Sequence, residues 1–104
     1  MKEYLTKWQA LMDKPVINAD IGNWCQTKMK SNRVSDLKTQ ADRARDYIES
    51  ISSLINEPWF IGWHWCAHVE NKARGWGIKD PYDQPYHDFI NPVKGFNKGI
   101  YEKI

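Results

Sequence analysis

Asp20, His64, His68, Glu70 and Asn71 are the polar side chains of this sequence whose types and placing could do chemistry, set among six Trp and five Tyr in 104 residues. Asp20 is the only carboxylate in the apolar run 15–21, while His64 to Asn71 follow one another at the end of a second apolar run. A carboxylate can act as a nucleophile or exchange a proton, and imidazole can do the latter near neutral pH. Trp59, Trp63, Trp65 and Trp76 fall inside eighteen positions. Trp24 and Trp76 stand in polar, irregular stretches, where large aromatics suggest contact with a ligand or partner.

Each residue also has a plainer reading. Asp20 can bond loop amides or cap a turn, as Asp commonly does at strand ends. His64 can be an interior histidine with satisfied hydrogen bonds, and under either reading it should be buried. Trp59, Trp63 and Trp65 can be core, because Trp63 and Trp65 alternate with His64 along a strand and so point the other way. Lys72, Arg74 and Lys79 can meet anionic groups or stay solvated.

Composition narrows the classes. A chain of 104 residues is one domain at most, with a modest core. Fifteen Lys and Arg against thirteen Asp and Glu give a formal charge of +2. That near balance disfavours nucleic acid as a partner, including a single strand held by aromatics and cations. No stretch approaches the roughly 18 to 20 apolar residues of a membrane helix. The start, MKEYLTKWQALMDK, lacks the order of a signal peptide. Cys25 and Cys66 lie 41 positions apart without ligand spacing around them, which implies no metal site. With no phosphate loop either, no cofactor is implied.

The positioning elements can be read from periodicity. Met1, Leu5, Trp8 and Met12 give a helix over 2–12 with an apolar face that needs a partner. Pro15 breaks it, and 15–21 reads as a strand. Leu37, Ala41, Ala44, Ile48, Ile51 and Ile55 make an apolar stripe on a helix over 37–55, capped by Ser35 or Asp36, with Lys38, Arg43, Arg45 and Glu49 on other faces. The aromatic run 59–68 reads as a strand covered on both sides. A long loop, 71–83, follows, then a short helix opened by Pro85 and a final helix over 92–102 with Asn91 as N-cap and Pro92 first in the helix.

The order helix, strand, helix, strand, helix is α/β, with two parallel strands joined by a crossover helix. Chemistry in such folds gathers at the carboxyl ends of strands, which places 20–24 and 66–82 on one face. Two strands alone would both be edges. The chain therefore reads as part of something larger, or as a protein that oligomerises.

KPVINADIG and, some forty residues on, WFIGWHWCAHVENKARGWGIKDPYDQPYHDFINPVKGFNKGIY together resemble the last two strand-helix units of TIM-barrel glycoside hydrolases, agarase-like members above all. The resemblance spans about residues 14–101 and implies a partial (β/α)8 barrel, a retaining mechanism and a polysaccharide substrate. It puts Asp20 at the nucleophile position, Trp65 beneath the sugar beside His64, and Glu70 and Asn71 among the polar substrate contacts. It also gives Trp24 and Trp76 a sugar to stack on, and the basic loop sulfated sugars to meet.

The chain departs from that pattern at Asp20 for Glu, Ile21 for Phe, Cys66 for Phe and His68 for Tyr. Asp is shorter by one methylene, roughly 1.5 Å, and misplacement of about 1 Å can lower a rate on the order of a hundredfold. The partner acid, implied at the end of strand four, is missing from a chain that holds about a quarter of a barrel of roughly 250 residues. The expectation is a carboxyl-terminal fragment inactive alone, whose parent enzyme is secreted or periplasmic, and whose partners are a carbohydrate and either a complementing amino-terminal portion or a second copy. The alternative is a non-catalytic carbohydrate-binding or interaction protein.

Overall fold

The structure is a computed structural model and describes residues 1–71 and 75–104. Its elements are α1 (Lys2–Met12), β1 (Val16–Ile21), α2 (Gln40–Ser52), β2 (Phe60–Trp65) and α3 (His87–Lys98), closed by a 3-10 turn at Ile100–Glu102. β1 and β2 pair in parallel, and α2 packs on α3. The α/β order and the two parallel strands are as the sequence implies.

Element ends differ, each for a local reason. α2 starts at Gln40 because Thr39 and Asp42 form a reciprocal capping box, which Ser35 and Asp36 do not. Asp42 is correspondingly held below the usual carboxylate range, chiefly by its hydrogen bond with Thr39. α3 begins at His87, so Pro92 lies inside it rather than at its start. The helix runs through the proline because Phe89, upstream of it, is buried together with Phe96 and Ile100 on the same face. β2 stops at Trp65, short of His68.

Two irregularities decide which side chains face the helices. Val16 pairs with Phe60 but Ile17 pairs with Gly62, so Ile61 is an extra residue in β2. Gly62 has φ 157°, a positive value glycine adopts without strain. The bulge brings Phe60 and Trp63 to the same side, stacked at 6.2 Å, and leaves Ile61 exposed. Further along, Asn18 pairs with Trp63 and Ile21 with Trp65, so Ala19 and Asp20 together oppose His64.

Tyr47 centres the core. Its ring meets Trp63, Trp65, Phe89 and Phe96 at 5.7–6.5 Å, and its hydroxyl accepts from Trp63 Nε1 (2.6 Å) and donates to Asn97 Oδ1 (3.0 Å). Ile21, Ala44, Ile51, Phe89, Phe96 and Ile100 complete the buried cluster. The stripe that α2 buries is Arg43, Ala44, Tyr47 and Ile51, and Ala41 is exposed. Arg43, expected on an outer face, is fully buried.

The open side of the sheet carries no such cover. Ile17 is exposed there, Ile61 is exposed at the bulge, and α1 buries none of its residues, leaving Tyr4, Leu11 and Met12 exposed. The expected partner for the apolar face of α1 is not found among the described residues.

Ile51 is fully buried whereas Ile17 is 57% exposed. Ile51→Ala is expected to lose about 2–5 kcal/mol in urea unfolding, while Ile17→Ala loses about 0.5 kcal/mol or less.

Candidate functional site

The bulged interval between the Asn18–Trp63 and Ile21–Trp65 pairs holds Asp20 on one strand and His64 on the other. Both are exposed, each next in its strand to a residue, Ile21 or Trp65, that packs toward the helices, and His64 also lines a cavity with Val93 and Asn97 of α3. His64 is therefore not buried, as the sequence suggested. The strand it stands on is covered on one side only, because the helices account for Trp63 and Trp65 and nothing in the described residues covers the other face. Pairing continues past the strand ends, where Cys66 N donates to Ile21 O at 2.8 Å.

Just beyond Asp20 the chain meets the loop that follows β2. Trp24 and Trp76 stack with ring centroids 5.8 Å apart and planes 22° from parallel. Gly22 makes this possible: a Cβ there would lie 2.9 Å from the Trp76 ring. Trp24 is anchored by its indole N–H to Val34 O (3.0 Å), and its own carbonyl accepts from Ser35 Oγ (2.6 Å). Two tryptophans distant in sequence thus form one aromatic shelf at the carboxyl edge of the sheet.

The shelf rests on Arg43. This guanidinium donates from Nη2 to Trp76 O (3.1 Å), from Nη1 to Gly77 O (3.0 Å) and Gln40 Oε1 (2.6 Å), and from Nε to Asn23 Oδ1 (3.1 Å). Asn23 is held in turn through its amide nitrogen to Arg43 O (2.9 Å) and Asp46 Oδ2 (2.8 Å). The guanidinium carbon sits 4.4 Å from the Phe89 ring centre and 5.8 Å from that of Trp65, within cation–π range. Burial lowers the Arg43 pKa to about 10. It stays cationic at neutral pH.

Trp65 takes a different place from the one the resemblance implies. Its ring packs on Phe89 (5.1 Å) and Tyr47 (5.7 Å), and its N–H donates to Trp76 O at 2.7 Å. Strand alternation sends it to the helix side. There it props Trp76, and its partly buried ring lines a cavity together with His64 and His68.

Glu70 stands inside rather than on a surface. It is fully buried, and its carboxylate accepts from Thr27 Oγ1 (2.9 Å), Arg33 Nη1 (3.2 Å) and the Tyr86 hydroxyl. Its backbone N–H donates to Lys79 O at 2.8 Å, and Gly77 is required beside it, since a Cβ would lie 2.1 Å from Glu70 N. The residue fastens the loop after β1, the loop after β2 and the start of α3 to one another. Asn71 is exposed, and Lys79 pairs with Asp83. Lys72 and Arg74 lie outside the described residues.

Arg43, Asn23 and Tyr86 were not singled out from the sequence. A signal for Arg43 was present: Arg43, Tyr47, Ile51 and Leu54 follow steps of four, four and three, so the arginine sits on the stripe that is buried.

No protein-family model matches the sequence. Beta-agarase B of Vibrio sp. (strain JT0107) is 29% identical over an alignment that takes in 61% of this chain and 8% of that protein. The fold superposes on PfGH50B with a TM-score of 0.72 and 26% identity, covering 93% of this chain and 16% of that one. An exo-beta-agarase gives the same TM-score and coverage of this chain, at 25% identity and 14% of its own length. The chain resembles agarases in sequence and fold. A third structure, the agarase AgWH50C, shares the fold at a TM-score of 0.72 with 17% identity. The resemblance to agarase-like glycoside hydrolases stated from the sequence is borne out. The agarase-like chain spans less than a fifth of the length of each of these relatives.

Burial, and then the hydrogen bond it gives to Glu70, raise the Tyr86 phenol above its ordinary value of 10.0. A raised folded value adds stability that is whole below the unfolded pKa and fades as pH rises beyond it toward the folded one. Tyr86→Phe leaves the Glu70 carboxylate one donor short, and is expected to destabilise by about 1–3 kcal/mol at pH 7. It should also flatten the loss of stability above about pH 10, read from urea unfolding at a series of pH values.

Proposed function

We propose that this agarase-like chain supplies the last two strand-helix units of a (β/α)8 glycoside hydrolase barrel that acts on a polysaccharide by a retaining mechanism. Asp20 takes the nucleophile position, His64 hydrogen-bonds the substrate across the same interval, and Trp24 and Trp76 offer a stacking surface. The observation that carries the reading is the shared interval: Asp20 and His64 are both exposed in the one bulged stretch of the strand pair, directly before the edge where the two tryptophans stack. Agarases are what the chain resembles in sequence and fold, and agar-type galactans are accordingly the substrate class.

A retaining glycosidase needs a second carboxyl group about 5–5.5 Å from the first. In this proposal that group comes from a strand outside these 104 residues. The exposed Ile17 and Ile61 and the unpaired outer edges of β1 and β2 are then the surface on which the rest of the barrel closes. A second reading is a carbohydrate-binding protein without catalysis, favoured by Asp where agarase-like enzymes carry the longer Glu.

The chain alone is expected to bind an agar tetrasaccharide with a saturable change in Trp fluorescence and to release no reducing sugar. Trp24→Ala should weaken that binding about threefold to tenfold. A flat titration would contradict the sugar-handling role, and hydrolysis by the chain alone would contradict the placing of the second carboxyl group elsewhere.

A further inference from the structure

A cavity of about 620 Å³ opens between the loop after β1 and the turn before α3, lined among others by Gln26, Thr27, Lys28, Gln40, Tyr82 and Tyr86. None of these residues belongs to the Asp20 and Trp24 edge. Its size falls in the range of small-molecule sites. Two of the groups that hold Glu70, Thr27 and Tyr86, are among its lining. The hydroxyl protons of Thr27 and Tyr86 are both given to the buried carboxylate; Thr27 Oγ1 also accepts from Lys30 N (3.3 Å), which leaves it one lone pair, and the Tyr86 oxygen keeps its acceptor capacity. The Tyr86 phenol also holds its proton well into the alkaline range, for the reasons given above. Gln40 spends its amide oxygen on Arg43, which leaves its NH2 group to donate. The charge of Glu70 is itself wholly shielded.

Tyr82, also in the lining, is 81% exposed on a turn that is already fixed. Asp80 Oδ1 accepts from Tyr82 N and Gln84 N, each at 2.9 Å; Asp80 N donates to Gln84 O at 2.9 Å, and Lys79 pairs with Asp83. An exposed aromatic on a pre-formed turn loses little conformational freedom when it meets a flat partner. The rim also carries one charge of each sign, Lys28 and Asp80, so with hydroxyl acceptors, an amide donor and an exposed aromatic the cavity has no charge excess and suits a ligand rich in hydroxyls and flat on one side.

We propose that this cavity is a second saccharide subsite, which takes a neutral sugar residue against Tyr82 with hydroxyls toward Thr27, Tyr86 and Gln40. The inference rests on the carbohydrate reading of the chain but not on the Trp shelf. Amide and indole NMR shifts of the 104-residue chain, titrated with an agar tetrasaccharide, test it. The expected result is a saturable set of shifts at residues 26–29 and 82–84, alongside separate shifts of the Trp24 and Trp76 indoles. Tyr82→Ala, at an exposed position, should weaken the first set tenfold or more and leave the indole shifts within twofold. Thr27→Val, a second variant that keeps side-chain volume, should weaken the first set as well. Indole shifts without movement at 26–29 and 82–84, or a first set unmoved by Tyr82→Ala, overturn the subsite and leave the proposed function standing. The absence of both sets counts against both.

Discussion

The guanidinium of Arg43 is the interaction on which the carboxyl edge of this molecule depends. Burying a cation costs several kcal/mol unless its donors are satisfied, and no carboxylate contacts this one among the described residues. Its hydrogen bonds go to a carboxamide on each of two segments and to two consecutive backbone carbonyls, with the adjoining rings of Phe89 and Trp65 against it. This arrangement constrains the protein strongly. The loop after β1, the start of α2 and the loop after β2 must all come to the same point, and Trp76 is thereby held where Trp24 can stack on it.

A second buried charge does the same for the outer loops. Glu70 gathers Thr27, Arg33 and Tyr86, and so fixes the segment between the shelf and α3. The two knots explain why long stretches without regular secondary structure hold their shape here. They also put two polar surfaces side by side, the Trp shelf over Arg43 and the Tyr82 cavity over Glu70.

Much of this was legible in the sequence, and the failures are specific. The stripe on α2 located the helix, and Pro15 and the aromatic run located the strands, since period and breakers are local properties. The recurrence of an apolar strand ending at Asp20 and of GWHW some forty residues on pointed to the agarase-like resemblance. The burial of Glu70 was not foreseen, because it is decided by which donors reach a carboxylate from distant segments. Likewise, Arg43 carries a charge, and charge alone suggested an outer face. The bulges at Ile61 and at Ala19 and Asp20 leave little trace in the sequence beyond Gly62, yet they set which residues share the open side. His64 was expected to be buried because its strand was read as central; in this chain one side of that strand is open.

The central claim is that the Asp20 and His64 interval is the catalytic half-site of an agarase-like barrel. It is tested most directly by replacing the matching segment of the Vibrio beta-agarase B with this chain and measuring agar hydrolysis by the folded chimera, with and without Asp20→Asn. The account predicts hydrolysis that the substitution abolishes. A folded chimera that hydrolyses agar equally well with the substitution as without it would contradict the assignment of Asp20.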